Sequence, residues 1–315
     1  MTLAEGNVYH AACAKGLFGS ETAPTFAYSM AELNELAKRL VLSHVSVPGV
    51  QAKLSVHLEQ AEHAPDRLTL VGLDGNYILK LPTAQYPGLP ESEHFAMTLA
   101  RLCGIETAAF GLVRLESGAL AYLTRRMDRE DGVKHMIDFC QLTDRRTSRK
   151  YYGSHEQIAR TIRRYATAAG TDVVRFFEVL LYSFLIGNSD MHLKNFSLLR
   201  EHDGTWRLSP AYDLMNTALH VHDEDFALSD GLSASLPPSD ACLHTGHPCR
   251  QDFEWFGNQA GIVGSRVSRI LDKYTSLPDS VKEMVTQSRL TKKLQRNYLR
   301  IVKERISRFV RQDKE

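Results

Sequence analysis

The stretch NSDMHLKN at residues 188–195 constrains the fold more than any other part of the chain. It follows an apolar segment with helical spacing and precedes an alternating one, so the pattern predicts a loop between a buried helix and a strand. In this loop Asp190 is followed five residues later by Asn195. A carboxylate can accept the proton of an attacking hydroxyl, and an amide oxygen can bind a Mg²⁺ ion on nucleotide phosphates. The spacing therefore indicates phosphoryl transfer.

A second carboxylate follows two short predicted strands, at about 195–199 and 205–208. The segment SPAYDL comes next, at 209–214, and places Asp213 at a strand end. In protein kinases the catalytic-loop Asp, the Asn and the metal-binding Asp of the Asp-Phe-Gly motif occur in this order. We therefore predict that Asp190 accepts the proton and that Asn195 and Asp213 bind Mg²⁺. Lys194 is a candidate to neutralise phosphate charge, more so than His192. Taken singly, each of these residues could be an ordinary loop or turn residue.

Upstream, ILKLP at 78–82 places Lys80 inside an apolar strand. An unpaired ammonium is costly to desolvate there, so the lysine needs a partner. Glu93, near the start of the next predicted helix, is the nearest candidate, and ATP phosphates are the second. The alternative is an edge-strand lysine that points to water.

The sequence has neither a Walker A motif nor a G-x-G-x-x-G loop. The best candidate for a phosphate-binding loop is SVPGVQAK at 46–53, a turn that leads into a strand. Its backbone N–H groups and Lys53 could approach an anion. With a single glycine, the segment is a weak signal by itself.

Around these motifs the periodicity predicts an α+β chain with two lobes, at 1–127 and 128–315. Strands dominate the first lobe and helices the second. Predicted strands lie at 54–58, 68–71, 77–81 and 120–123, with the second and third joined in a hairpin by the Asp-Gly-Asn turn at 74–76. Predicted helices lie at 30–42, 91–102, 158–168, 173–186 and 289–311, and a polar loop is predicted at 230–250.

The bulk composition is that of an ordinary globular protein, with 315 residues, 43% apolar, 24% charged and a formal net charge of +1. No apolar run approaches the roughly 20 residues of a membrane span, and the first residues lack a basic start with an apolar stretch. We therefore expect a cytoplasmic protein with no membrane contact. The near-neutral charge gives no reason to expect direct nucleic-acid binding. Five scattered cysteines argue for reduced thiols rather than a disulfide framework.

The motifs occur together in an order that resembles a known family, the HipA-like kinases of bacterial toxin–antitoxin modules. The likeness runs from about Ser43 onward. It rests on SVPGVQAK, ILKLP, ESEHFAM, RRMDR, HMIDFCQ, KYYGSHE, LIGNSDMHLKNFSLL and LSPAYDL.

The resemblance implies a protein serine/threonine kinase that uses ATP and Mg²⁺. The implied fold is protein-kinase-like, with a small β-rich N-lobe and a larger helical C-lobe. Asp190 is similar in position to the family's catalytic aspartate, Asn195 and Asp213 to its Mg²⁺ ligands, and residues 125–127 to an adenine-contacting hinge. The implied nucleotide-binding residues are Pro48, Gly49, Val50, Gln51, Ala52, Lys53, Lys80, Arg125, Arg126, Met127, His192, Lys194, Asn195, Tyr212 and Asp213.

The family's regulatory autophosphorylation site falls on Ser46, with Ser43 as a weaker candidate. A phosphate on this loop adds roughly −1.5 to −2 charge beside ATP, which should expel the loop from the pocket and silence the kinase.

The short N-terminus is similar to HipT, the compact toxin of three-gene modules. The resemblance then implies a HipB-like DNA-binding antitoxin and a small HipS-like partner. It also implies a protein substrate, an aminoacyl-tRNA synthetase such as tryptophanyl-tRNA synthetase, whose phosphorylation arrests growth.

Other interpretations of the sequence stay open. The chain could phosphorylate a small metabolite, or it could be a catalytically idle module that holds a DNA-binding antitoxin. Cys242, His244, His247 and Cys249 form a crowded C-x-H-x-x-H-x-C pattern that could bind zinc, although zinc ligands usually come in pairs separated by a loop. An ordinary polar loop is the expected reading of that segment.

Overall fold

The computed structural model describes residues 9–43, 51–60, 65–72, 74–221 and 224–310. It divides into two compact units. The first unit comprises Met1–His94 and Ala108–Val133, and the second comprises Phe95–Thr107 and Lys134–Glu315. One helix, α3 (Leu89–Leu102), begins in the first unit and ends in the second.

The first unit is built on a five-stranded antiparallel sheet with the strand order β2-β1-β3-β5-β4. Its elements are α1 (Ala11–Phe18), α2 (Met30–Ser43), β1 (Lys53–Glu59), β2 (Arg67–Leu70), β3 (Tyr77–Lys80), β4 (Phe110–Arg114) and β5 (Leu120–Arg125). The predicted helix at 30–42 and the predicted strands of this unit are confirmed, with boundaries shifted by one or two residues.

Strand alternation fills the core of the first unit. Leu54 and Val56 of β1 and Leu79 of β3 are fully buried, and they pack with Leu33 of α2 and Leu17 of α1 in one cluster. Each such side chain contributes about 1.5–3 kcal/mol by leaving water. This burial fixes the register of β3, because a shift of one residue would turn its apolar side chains to the other face of the sheet.

The predicted hairpin between the second and third strands is wrong. β1 lies between β2 and β3 and pairs antiparallel with both. Gly75, in the connection, donates its N–H to the Ser55 hydroxyl at 2.9 Å. A Cβ on Gly75 would lie 2.5 Å from the Val56 carbonyl oxygen. The Asp-Gly signal thus reflects the close approach of the connection to β1 and not a two-residue turn.

The second unit combines helices with a three-stranded antiparallel sheet of order β6-β7-β8. The strands are β6 (Met136–Asp138), β7 (Ser197–Arg200) and β8 (Trp206–Leu208). The helices are α4 (Phe139–Leu142), α5 (His155–Tyr165), α6 (Ala169–Ile186), α7 (Asp240–Thr245), α8 (Arg250–Gln259), α9 (Gly264–Asp272), α10 (Asp279–Gln287) and α11 (Lys292–Ser307).

Helix α6 is the centre of the second unit and is apolar nearly all round, as predicted. Phe176, Phe177 and Phe184 are all buried, with Phe177 and Phe184 two turns apart on one side of the helix. The Phe184 ring contacts Phe253 of α8 and Phe309 at centroid distances of 5.1 and 5.8 Å. Because helices cover this element on several sides, its C-terminal end is held rigidly, and the segment that follows it starts from a fixed point.

Several features of the second unit differ from the sequence prediction. The segment at 230–250, predicted as a loop, contains the short helix α7, which the Ser239 side chain caps by accepting from the Cys242 N–H. Helices α8, α9 and α10 were not predicted. The basic helix predicted at 289–311 is confirmed over Lys292–Ser307, as α11, and residue 311 lies outside the described residues. No helix in the described part of the chain is long and apolar enough to cross a membrane.

Candidate active site

The loop that carries Asp190 starts where α6 ends. Gly187 adopts the left-handed conformation (φ 78°), and Asn188 donates its N–H back to the Ser183 carbonyl at 2.9 Å. The Thr217 hydroxyl oxygen accepts the Ser189 N–H at 2.8 Å and donates to the Gly187 carbonyl at 3.2 Å. This C-cap turns the chain sharply out of the helix, and the Thr217 bridge fixes the first residues of the loop.

The predicted proton acceptor, Asp190, is partly exposed. Its Oδ1 accepts a hydrogen bond from the Tyr151 hydroxyl at 2.9 Å. Its backbone N–H donates to Asn188 Oδ1 at 3.3 Å. A general base must be accessible to the hydroxyl that it deprotonates, and the partly exposed Asp190 carboxylate meets this need.

Asn195 ends a 3₁₀ turn at Leu193–Asn195 and is buried. Its Oδ1 accepts the His192 N–H at 3.3 Å, which orients the amide. His192 is buried as well, and its Nε2 lies 2.7 Å from Lys150 Nζ. Since an ammonium can only donate, this imidazole nitrogen accepts, and His192 belongs to the support of the loop. Its predicted contact with nucleotide stays a prediction.

Lys194 forms an ion pair with Asp138, with Nζ 2.5 Å from Oδ2. Asp138 also caps α4 by accepting the Gln141 N–H at 2.8 Å. The Asp138 carboxylate therefore fixes both the start of α4 and the position of this lysine. Asp138 was not predicted as a site residue. The predicted role of Lys194 in neutralising phosphate charge remains a prediction.

Tyr212 connects the Asp213 segment to the loop of Asp190. Its hydroxyl donates to the Lys194 carbonyl at 2.8 Å and lies 2.7 Å from Ser197 Oγ. Burial raises the pKa of Tyr212, so its hydroxyl stays protonated as a donor. Asp213 itself has φ 59°, a left-handed conformation that is uncommon outside glycine. Such backbone conformations concentrate at functional sites.

Asn195 and Asp213 are suited to Mg²⁺ by the chemistry of their donors. An amide oxygen and a carboxylate are hard oxygen ligands, and Mg²⁺ usually takes one or two protein oxygens and completes its shell with water and phosphate. The His192 N–H orients the Asn195 amide, and Tyr212, next to Asp213, is hydrogen-bonded to the Lys194 carbonyl, next to Asn195. The residues present therefore fit the ion that the sequence predicted.

Lys80 and Glu93 form a buried ion pair in the first unit, as predicted. Lys80 Nζ lies 2.5 Å from Glu93 Oε1, and the two side chains are 4% and 1% exposed. The ammonium is also 5.4 Å from the centroid of the Tyr122 ring on β5. The alternative reading of Lys80 as a solvent-facing edge residue is wrong. The pair joins β3 to α3, which is the arrangement of the strand lysine and helix glutamate of protein kinases.

The predicted phosphate-binding loop is described only in part. Ser46, Pro48, Gly49 and Val50 lie outside the described residues. The end of the loop is anchored beside the lysine strand: Gln51 Nε2 donates to the Leu81 carbonyl at 2.7 Å, and the Leu81 N–H donates to the Ala52 carbonyl at 3.1 Å. Lys53 is exposed and lies opposite Lys80 in the β1–β3 register.

The predicted adenine hinge is ordered by local ion pairs. Arg125 ends β5 and lies 3.2 Å from Glu130, and Arg126 makes two contacts with Asp128 at 2.8 and 3.1 Å. Met127 is buried at the start of a 3₁₀ turn. These contacts fix the backbone after β5, while the adenine contact itself stays a prediction.

The two histidines of the C-x-H-x-x-H-x-C pattern have other partners. His247 Nδ1 pairs with Asp225 at 2.8 Å, and His244 Nδ1 lies 2.8 Å from the Asp240 carbonyl. Within the described residues, no group of three or more His, Cys, Asp or Glu side chains is arranged to bind a metal ion.

Two curated relatives of this chain are named as kinases. The protein Y4dM of Sinorhizobium fredii, named a proposed kinase, is 37% identical over 195 residues, which cover 58% of this chain and 47% of Y4dM. The toxin HipA of Shewanella oneidensis, named a serine/threonine-protein kinase, is 28% identical over 207 residues, which cover 58% of this chain and 45% of HipA. The matches cover 47% of Y4dM and 56% of Y4mE, a second relative from Sinorhizobium fredii, so this chain spans about half the length of each.

Two solved structures show the fold. HipA of Shewanella oneidensis, determined with HipB and operator DNA, superposes with a TM-score of 0.65 at 18% identity, over 98% of this chain and 80% of HipA. The kinase CtkA of Helicobacter pylori superposes with a TM-score of 0.50 at 12% identity, over 81% of this chain and 93% of CtkA. The fold is therefore α+β and protein-kinase-like.

A family model also matches the sequence, in addition to the likeness in fold. The model of the HipA-like C-terminal domain matches residues 45–281. The chain belongs to this family.

Proposed function

We propose that this chain is an ATP- and Mg²⁺-dependent kinase that phosphorylates a protein on serine or threonine. The observation that carries the proposal is the buried Lys80–Glu93 ion pair. Burying two charges is costly, and a buried pair is weak evidence for stability. A buried pair at this strand–helix position has a clear use in phosphate binding, because it presents an oriented ammonium to the nucleotide.

The reaction uses residues with separate tasks. Lys80 holds ATP phosphates. Asp190 accepts the proton of the substrate hydroxyl while the oxygen of that hydroxyl bonds to the γ-phosphorus. The bond between that phosphorus and the β–γ bridging oxygen breaks, and ADP leaves. Asn195 and Asp213 would hold Mg²⁺, which would neutralise phosphate charge. Tyr212 and Lys194 keep the metal-binding residues in register through their shared hydrogen bond.

We propose further that the chain is a toxin of a type II toxin–antitoxin module. Support comes from the family and from HipA of Shewanella oneidensis, whose structure contains HipB and operator DNA. The partners proposed for this chain are a HipB-like DNA-binding antitoxin and a small HipS-like protein. The proposed substrate is an aminoacyl-tRNA synthetase, with tryptophanyl-tRNA synthetase as the first candidate, and its phosphorylation would stop growth. Autophosphorylation of Ser46 is the proposed means of silencing the kinase.

The test is a labelled-ATP transfer assay in bacterial lysate with the wild type and Asp190→Asn. We expect one labelled lysate protein, and a loss of about two to four orders of magnitude in transfer by the variant, since only the proton acceptor is removed. Mass spectrometry identifies the labelled protein and reads phosphate on residues 43–55 of the chain.

Asp203→Asn is the matched control. Asp203 is an exposed carboxylate whose Oδ1 accepts from the Thr205 N–H, a bond that asparagine can keep. This variant should transfer phosphate at the wild-type rate. Full transfer by Asp190→Asn would contradict the assigned role, and label found only on a small metabolite would contradict protein kinase activity.

A further inference from the structure

Residues 150 and 151 contact the loop of Asp190 at three points. The Leu193 N–H donates to the Lys150 carbonyl at 3.1 Å. Lys150 Nζ lies 2.7 Å from His192 Nε2, and the Tyr151 hydroxyl donates to Asp190 Oδ1 at 2.9 Å. The three contacts reach three different residues of the loop, so this dipeptide supports the loop along most of its length.

The direction of the hydrogen bond between Tyr151 and Asp190 follows from the chemistry of the two groups. A phenol carries a proton to donate and an ionised carboxylate can only accept, so Tyr151 is the donor and Asp190 the acceptor. A carboxylate offers about four acceptor sites on its two oxygens. The bond at Oδ1 is therefore compatible with a second bond from a substrate hydroxyl, and it restrains rotation of the carboxylate group.

The Tyr151 ring is itself held in place. Lys150 Nζ lies 4.7 Å from the ring centroid, a cation–π distance, and the His192 imidazole meets the ring edge-on at 5.1 Å. The residue is nevertheless 40% exposed. Tyr151 thus brings a fixed hydroxyl to the base from the solvent side.

The backbone around Tyr151 is fixed from another direction by the segment at 229–232. Four hydrogen bonds of 2.8–3.0 Å connect this segment to residues 151–156. They run from Ser229 N–H to the Tyr151 carbonyl, from Asp230 N–H to the Gly153 carbonyl, from His155 N–H to the Gly231 carbonyl and from Glu156 N–H to the Leu232 carbonyl. Residues 151–156 therefore lie between this segment and the loop of Asp190, with hydrogen bonds to both.

From these contacts we propose that Tyr151 is a positioning residue, whose hydroxyl orients the Asp190 carboxylate toward the substrate hydroxyl. The inference rests on the phosphoryl transfer proposed above. An oriented base lowers the reorganisation that must accompany proton transfer, and small misplacements of a reacting group cost large factors in rate. Tyr151 does not bind the substrate or the nucleotide in this role, so it should affect turnover more than affinity.

The experiment compares Tyr151→Phe with Tyr152→Phe. The first variant removes only the hydroxyl that reaches Asp190, and the second removes a hydroxyl from the neighbouring tyrosine, which is 59% exposed. The substrate is the lysate protein labelled by the wild type. We expect Tyr151→Phe to lower kcat about 10- to 100-fold, with KM for ATP and for the protein within about twofold of the wild type. Tyr152→Phe should match the wild type in all three constants.

Thermal melting of both variants accompanies the kinetics. An unchanged melting temperature together with the lower kcat supports the positioning role. A raised KM at wild-type kcat would overturn it in favour of substrate binding, and a lower melting temperature that accounts for the lost activity would overturn it in favour of a structural role. If Asp190→Asn abolishes transfer while Tyr151→Phe keeps full kcat, the inference is wrong and the proposed kinase function stands. If the wild type transfers no phosphate, both are wrong.

Discussion

His155 is a fully buried histidine held in a neutral form. Its ring packs between Phe176 and Phe226, with centroid distances of 6.4 and 5.3 Å, and Nδ1 lies 2.9 Å from the Gly231 carbonyl. Burial lowers the pKa of His155 to about 4, because the imidazolium cannot be solvated there.

This lowered pKa predicts how stability depends on pH. In the unfolded chain a histidine takes up its proton near pH 6.5, whereas His155 in the folded chain does so only near pH 4. Between these values the unfolded state binds more protons, so the free energy of unfolding falls as the pH falls. Above about pH 6.5 His155 takes nothing from the free energy of unfolding. By about pH 4 its protonation in the unfolded state has lowered that free energy by about 3 kcal/mol.

Urea unfolding of the wild type and His155→Asn across about pH 4.5 to 7.5 measures this contribution. Asparagine keeps an N–H for the Gly231 carbonyl and does not titrate, so the variant should lose less stability on acidification. His202→Asn, at an exposed histidine, is the control and should keep the wild-type slope. Burial also lowers the pKa of His220. Because His220 is present in the wild type and in both variants, its effect on the pH dependence is the same in all three. Equal slopes in the two variants would contradict the prediction.

The sequence predicts functional partners correctly where the two residues lie close together in the chain. Asp190 and Asn195 lie in one loop, and Glu93 follows Lys80 in the next element, so spacing alone suggested that they act together. The ion pair of Lys194 with Asp138 joins residues 56 apart, and it was not predicted. Such partners depend on how the elements pack, for which a single sequence carries no periodic signal.

Gly187 connects helix α6, at the centre of the second unit, to the loop that contains Asp190. Its left-handed φ of 78° already disfavours a side chain. A Cβ there would also lie 2.8 Å from Ile301 Cγ2 and 3.0 Å from Asn216 Oδ1. Gly187→Ala should therefore lower the free energy of unfolding by the backbone term of about 1–2 kcal/mol plus about 1–3 kcal/mol for overpacking.

Gly104 separates the two contributions. Its φ of 84° is also left-handed, but a Cβ would meet nothing within 4 Å. Gly104→Ala should therefore show the backbone term alone. Chemical denaturation of both variants gives the comparison, and an equal loss of stability would mean that the crowding around Gly187 relaxes without cost.

The elements were predictable where periodicity and length agreed. α6 was predicted because the segment at 173–186 is apolar nearly all round over about four turns, a pattern typical of a buried helix. β4 was not predicted. Its burial on both faces produces a short apolar run at 110–113 with no alternation, and such a run does not distinguish strand from helix. The wrong hairpin has a similar cause, since strand order depends on contacts distant in the sequence.

For the molecule as a whole, the α+β class was predicted from the change from strand to helix periodicity near residue 130, and the solved structures confirm it. The second unit nevertheless has its own three-stranded sheet, of which β7 and β8 were predicted and β6 was not. All three residues of β6, Met136–Asp138, are only partly buried, so the strand shows no alternation of buried and exposed side chains.

Ligand binding should stabilise the whole chain. A ligand that binds only the folded state adds about 2.7 kcal/mol at a concentration of 100 Kd. For a chain of this size we expect the melting midpoint to rise by about 5 °C with ATP and Mg²⁺. Wild-type protein without such a shift would contradict nucleotide binding itself.

Asp213→Asn tests the metal part of this stabilisation. Asparagine is among the residues that tolerate a left-handed backbone best, so the substitution should keep φ near 59° and remove only the negative charge. An alanine variant would add backbone strain and confuse the comparison. We expect Asp213→Asn to melt near the wild-type temperature without ligand, and to lose most of the extra shift that Mg²⁺ adds to ATP. Asp203→Asn, which changes an exposed carboxylate, should keep that shift. If Asp213→Asn keeps it as well, the metal is held without Asp213, because a ligand's effect on stability disappears only when the residues that bind it are lost.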